Sequence, residues 1–531
     1  MKRSIITSAS LLIVMGFAAG CGGSDAATTR NPPPLAASTP SVPTESPASF
    51  EAGGGETMVA STEGVGPVSS PAADPDRPFE AVVVDTACPS DAPASARCYR
   101  IDVPANWAEP AGSLISLPVV VVPATGPLVS PDPLVVLAGG PGGSGIGAAA
   151  AWSDPHRDVV LYDQRGSGAA QPALTCPERN EAWVANLQRA DAFEEECAAI
   201  VEAYAACRAR LEASGIDLDD YDTEASVRDL DAIRVALGYE KWNLLGASYG
   251  ARLALAAMRS TPNMIRSVVL DSVYDVTDGG MAATKAAGDL AVAEVIAACD
   301  EDVVCRSTHP DLVRQIGDVA LRYEAAPLQL EVDLGDGRGA RTFVITGTDM
   351  MAGLFDAVND PVLLPLIPSM IGDLAAGDTS VVELLLRRGV ALQDTIAWGM
   401  HLSMNCADNA GLDPDAEARV VADPGRFELL FTEPLCSAWP VEATSSTFNE
   451  PVRSDIPTLV IAGRFDSRTS PSGSEQAARR LGSATFAVWP NRGHIVTGDP
   501  CANTLLSAFL DDPAAQLDLT CVDTIRRPDF Q

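Results

Sequence analysis

Basic residues are in short supply: 36 Lys and Arg stand against 71 Asp and Glu, a net charge of −35. That balance excludes nucleic acid as a natural partner, because neutralising phosphates needs a basic face. Histidine is scarcer still, at four in 531 residues, and no two cysteines have the C-x-x-C spacing. A structural metal site therefore has few ligands to draw on, and none is expected. Beyond the N-terminus no apolar run is long enough to span a bilayer. Apolar residues still make up 47% of the chain, ample for a large core. Strong negative charge favours solubility and gives a weak attraction for cationic substrates.

Against this background one pentapeptide stands out, Gly246-Ala247-Ser248-Tyr249-Gly250. The apolar run Trp242–Leu245 before it reads as a strand, and Ala251–Met258 after it as a helix. A serine on such a strand-to-helix turn has its hydroxyl pushed into the open, above free helix N–H groups. The hydroxyl needs a base, which in this strand order lies C-terminal to the serine. His494, in a loop after the strand-like Ala484–Trp489, fits best. Asp466 follows the strand-like Pro457–Ala462 and is the candidate acid, with the helix-like Ser474–Leu481 between it and the next strand. His309 and His401 fall in a helical region and are read as structural or surface residues. The strand Leu134–Leu137 runs into Ala138-Gly139-Gly140-Pro141-Gly142-Gly143-Ser144-Gly145. A backbone N–H in that turn, with Gly140 as candidate, would pair with the N–H of Tyr249 to hold an oxyanion. The turn lacks the Gly-Lys-Ser/Thr ending of a phosphate loop.

These residues resemble the proline iminopeptidase and tripeptidyl aminopeptidase group of α/β-hydrolases. The resemblance rests on the glycine-rich turn, on Asp163-Gln164-Arg165-Gly166-Ser167-Gly168, on the serine motif, and on the late Asp466 and His494. It spans most of residues 79–525. One departure is Ala138, where proline iminopeptidases usually carry histidine. The resemblance implies a mostly parallel sheet flanked by helices, a helical cap, and a serine peptidase acting from substrate N-termini. An acidic residue after a cysteine, as in Asn405-Cys406-Ala407-Asp408, implies Asp408 as anchor for a substrate ammonium, with Glu433 a weaker candidate. Asp163 and Arg165 are expected to brace loops as a charge-assisted pair.

At the N-terminus, Lys2 and Arg3 precede an apolar run from Ile5 to Phe17, then Ala18-Ala19-Gly20-Cys21. This has the form of a signal peptide, too short in its apolar part for a usual spanning helix. The small residues before Cys21 resemble a lipobox, which would make Cys21 a lipidated N-terminus. Residues 22–78 are rich in Gly, Ser, Thr, Ala and Pro and read as a flexible tether. Twelve cysteines in an exported chain point to disulfides. Neighbour pairing suggests Cys88–Cys98, Cys299–Cys305, Cys406–Cys436 and Cys501–Cys521. Cys176 joins Cys207 with Cys197 left over, or the roles of Cys197 and Cys207 swap.

The expected organisation is a signal segment 1–21, a tether 22–78, an α/β-hydrolase core 79–274 with a helical excursion at 172–215, a mainly helical cap 275–452 with a hairpin from Leu328–Val332 and Thr342–Ile345, and the rest of the core at 453–531. The expected function is a membrane-tethered serine hydrolase outside the cytoplasm that needs no cofactor or metal. A peptide substrate is favoured. A carboxylesterase or lipase acting on envelope esters is the alternative, and an apolar cap pocket without a carboxylate would point to it. A binding protein on a hydrolase scaffold is the rival from another class.

Overall fold

The computed structural model describes residues 79–531 apart from 192, 279, 411 and 413–432. The signal segment, Cys21 and the tether lie outside the described residues, as does the side chain of Glu433. Nine strands form one sheet: β1 (Val82–Asp85), β2 (Arg97–Pro104), β3 (Leu114–Val122), β4 (Leu134–Leu137), β5 (Val159–Tyr162), β6 (Trp242–Ala247), β7 (Ile265–Asp271), β10 (Thr458–Gly463) and β11 (Ala484–Trp489). The hairpin β8 (Leu328–Asp333) and β9 (Ala340–Ile345) is separate. The sheet order is β1-β2-β3-β5-β4-β6-β7-β10-β11. β1, β2 and β3 pair antiparallel, as do β3 and β5, and every pairing from β5 to β11 is parallel.

Every residue of β4, β5, β6 and β10 is buried, as strands covered on both faces require. Side chains alternate between two apolar layers. Val135, Leu244, Val268 and Val460 face one layer with Ile233, Leu253 and Leu255, from the helices Thr223–Ala236 and Tyr249–Ser260. Val136, Leu245, Val269 and Ile461 face the other, with Leu505 and Phe509 of the helix Pro500–Asp511. Helix starts are locally encoded. Asp222 caps Thr223–Ala236 through the N–H of Ala225, and Thr346 with Asp349 makes a capping box for Gly347–Ala357.

The chain between β7 and β10 is mainly helical and includes the expected hairpin, whose register pairs Leu328 with Ile345. Its apolar residues divide between two clusters. Most of those from Ala291 to Leu386 form a third cluster that also takes in Leu187, Phe465 and Phe530, whereas Ile396, Trp398, Met400, Trp439, Phe448 and Val452 join the layer of Val135 and Leu244. The helices Pro177–Asn186 and Phe193–Ala213 occupy the expected excursion. All five expected disulfides are present, and of the two alternatives Cys176 takes Cys207. Cys197 is a buried cysteine outside any disulfide. Among the described residues no helix is long and apolar enough to cross a membrane.

Candidate active site

Four of the sequence-predicted residues stand just past the carboxyl ends of parallel strands: Gly140 after β4, Ser248 after β6, Asp466 after β10 and His494 after β11. Open α/β sheets bind ligands at this edge. Ser248 has φ 57° and ψ −119°, outside the regions L residues favour, and leads directly into Tyr249–Ser260. Close packing forces the turn: a Cβ on Gly250 would lie 2.0 Å from the carbonyl oxygen of Leu137, so only glycine lets this helix start against β4. Ser248 is fully buried.

The imidazole of His494 is held by Asp466. Nδ1 donates to the carboxylate, 2.9 Å from each oxygen. Asp466 is fixed in turn by the N–H groups of Arg468 and Thr469, both at 2.8 Å, and by the Thr469 hydroxyl at 2.9 Å. This arrangement keeps the proton on Nδ1 and leaves Nε2 bare to accept another. Nε2 and the Ser248 hydroxyl are both buried without a hydrogen-bond partner among the described residues. Catalytic hydrogen bonds commonly close only when substrate arrives.

Sequence reasoning missed Asp271, the last residue of β7. Its carbonyl accepts the Ser248 N–H at 2.9 Å. Its carboxylate accepts from the N–H of Val496 at 2.9 Å, and from the N–H and hydroxyl of Thr497 at 2.6 Å each. One residue thus brackets the serine and the loop just after His494. Burial raises the Asp271 pKa, opposed by those bonds. The same loop is strained: Ile495 has φ 71°, rare for a β-branched residue, and its N–H is held by the Ser272 hydroxyl at 2.9 Å.

The glycine-rich turn is shaped from below and above. Gly140 has φ 123°, a conformation open to glycine. Asp163 accepts from the N–H groups of Gly145 and Ile146 and from the Ser144 hydroxyl, at 2.7, 3.1 and 2.8 Å. Burial raises its pKa, and those bonds oppose the rise. The expected Asp163–Arg165 pair does not form. Arg165 instead makes a two-pronged pair with Asp229, its fully buried guanidinium also donating to the carbonyls of Pro104 and Ala105. From above, the N–H of Ala397 donates to the Gly142 carbonyl at 3.0 Å, and His401 Nδ1 donates to the Pro141 carbonyl at 3.2 Å. Burial pushes His401 down to about 4, so it is neutral and structural. His309 is buried against the carbonyl of Gln531. Tyr249 turns its hydroxyl to Thr223 at 2.7 Å, leaving its backbone N–H at the first helical position, where no intrahelical acceptor exists.

Asp408 makes no hydrogen bond to Ser248, His494 or Asp466 among the described residues and reaches Tyr249 through the Thr223 hydroxyl. It is 1% exposed. The Thr223 hydroxyl donates to it at 2.6 Å, and Arg252 Nη1 lies 3.8 Å away. Burial raises its pKa to about 7. The expectation of an ammonium anchor meets a carboxylate already supplied with a cation. Among the described residues no cluster of His, Cys, Asp and Glu could hold a metal.

A small apolar pocket is lined by Val292, Val295, Ile316, Leu354, Phe355 and Val358 among others. The Phe355 carbonyl accepts from the Ser467 hydroxyl at 3.4 Å, and the carbonyl of Val358 would lie 2.5 Å from a Cβ at Gly493.

Residues 132–289 match the α/β hydrolase fold model, and residues 428–521 match a model described as TAP-like protein. Serine protease Hip1 of Mycobacterium tuberculosis is 25% identical over 79% of this chain and 85% of its own length. Carboxylesterase B of the same organism is 27% identical over 80% of this chain and 86% of its own. Tripeptidyl aminopeptidase of Streptomyces lividans is 32% identical over 36% of this chain and 38% of its own. The chain is an α/β-hydrolase-fold serine hydrolase of peptide or ester bonds, related to peptidase-type and esterase-type enzymes alike.

Proposed function

We propose that this protein is an esterase outside the cytoplasm, held to the membrane by lipid on Cys21, which cleaves carboxylic esters through an acyl-enzyme at Ser248. In this reading Nε2 of His494 takes the hydroxyl proton as Ser248 Oγ attacks the ester carbonyl. Asp466 orients the ring and stabilises the imidazolium that forms. The N–H groups of Gly140 and Tyr249 receive the oxyanion. The imidazolium then protonates the leaving alcohol. Water, deprotonated by the same nitrogen, releases the acid and frees the serine. Five disulfides support an oxidising compartment.

The observation that carries ester over peptide is that Asp408, the candidate anchor for a substrate ammonium, is already engaged by the Thr223 hydroxyl and faces Arg252. The peptidase-type relatives favour a second reading, exopeptidase action. That reading needs a carboxylate other than Asp408, or Asp408 released from Arg252.

Purified protein given alkyl esters of short fatty acids, tripeptides with free amines and the same peptides acetylated separates the two. The ester reading expects kcat/KM for the esters to exceed that for either peptide by about tenfold or more, and acetylation to change little. It is overturned if free-amine peptides are preferred and acetylation lowers their kcat/KM by about 10²-fold or more, the loss expected for a buried charge left unpaired.

A further inference from the structure

Asn359 follows the helix Gly347–Ala357 in the segment between β7 and β10, far in sequence from the catalytic loops. Its side chain nevertheless touches both. Oδ1 accepts the backbone N–H of His494 at 3.0 Å and that of Ser467 at 3.3 Å, and Nδ2 donates to the Ser467 hydroxyl at 2.7 Å. The orientation of the amide is forced. Two N–H donors converge on one end, so only the oxygen fits there. The hydroxyl that receives Nδ2 passes its own proton to the Phe355 carbonyl. Backbone packing leaves no slack: a Cβ at Gly493 would come within 2.6 Å of Cα of Asn359.

We propose that Asn359 is a positioning residue that sets the His494–Asp466 alignment from the helical insertion, so that the position of the Gly347–Ala357 helix governs where Nε2 points. His494 is held at its own N–H by Asn359 and, two residues on, by Asp271 at Val496. Asp466 is followed by Ser467, held by Asn359, and by Arg468, paired with Asp356 of the same helix. The insertion and the β7 end therefore grip the histidine loop from opposite sides. Removing the amide frees one side and leaves the serine, the acid and the base present. The inference rests on the Ser248–His494–Asp466 reading and is indifferent to whether the substrate is an ester or a peptide.

The test compares the intact protein with Asn359→Ala and Asn359→Asp. Its readouts are the rate of labelling by a fluorophosphonate, kcat and KM on whichever substrate the wild type turns over, and thermal unfolding. Asn359→Ala is expected to slow labelling and lower kcat by about 10- to 100-fold, the scale of a misplaced catalytic group, with KM nearly unchanged. Asn359→Asp keeps an acceptor for both N–H groups and adds a negative charge beside His494, near Asp466 and Asp271. It is expected to recover most of kcat and to move the acid limb of the kcat/KM profile to higher pH, since a nearby anion favours the imidazolium. Wild-type labelling by Asn359→Ala overturns the proposal. So does equal loss in both variants with no movement of the limb and a parallel fall in melting temperature. A wild type that takes up no fluorophosphonate overturns instead the serine-hydrolase reading beneath it.

Discussion

The ring of Phe465, the residue immediately before Asp466, meets the ring of Phe530 edge-on, with centroids 6.3 Å apart and planes at 82°. Both rings belong to the apolar cluster of the helical insertion, although Phe465 follows a core strand. Arg464 beside it pairs with Glu294 at 2.6 Å, and Arg468 contacts Asp356. The loop that carries the acid is thus seated on the insertion. The insertion contributes to holding the site's acid in place.

This seating makes Phe530, although remote in sequence, relevant to the acid. Phe530→Ala is expected to destabilise the fold by about 3–5 kcal/mol, the cost of emptying a buried aromatic site, and to lower kcat through a looser Asp466 loop. Urea unfolding and steady-state kinetics check the two parts. Unchanged stability and unchanged kcat would contradict the seating.

Asp408 gives a prediction in pH. Its pKa rises from 3.8 to about 7 on folding, with burial as the first cause. Between those values the folded protein holds a proton that the unfolded chain has released. The contribution to stability is therefore full below about pH 4, falls as pH climbs to about 7, and levels above it. The limit of the loss is about 4 kcal/mol. Asp408→Asn does not titrate, so the stability of the wild type minus that of the variant is expected to fall across this window in chemical denaturation. A difference that stays flat from pH 4 to 8 would contradict the burial and pairing described for this carboxylate.

The parts of the molecule written in local pattern were legible in the sequence. Buried runs such as Leu134–Leu137 and Val159–Tyr162 announce parallel strands, and Ser248 between Trp242–Leu245 and Ala251–Met258 announces its own turn. Cysteines close in sequence pair as their spacing suggests. Residues whose role depends on tertiary approach were not legible. Asp271 looks like a strand end and Asn359 like a helix end, and nothing near either points to His494. The acidic residue after Cys406 looked available for an ammonium, because Arg252 lies far away in sequence and reaches Asp408 only once its helix packs. Asp163 and Arg165 are two residues apart, but Asp163 is taken up by the N–H groups of Gly145 and Ile146 and the buried Arg165 pairs with Asp229.

The central claim is that Ser248 is the covalent nucleophile, served by His494 and Asp466. The direct measurement is rapid-quench mass spectrometry of the protein mixed with an activated ester, followed by peptide mapping. The account predicts a transient acyl mass on the peptide containing Ser248, absent from Ser248→Ala, and formed about 10⁴-fold more slowly in Asp466→Asn. An acyl group on any other residue, or turnover that survives Ser248→Ala, would contradict it.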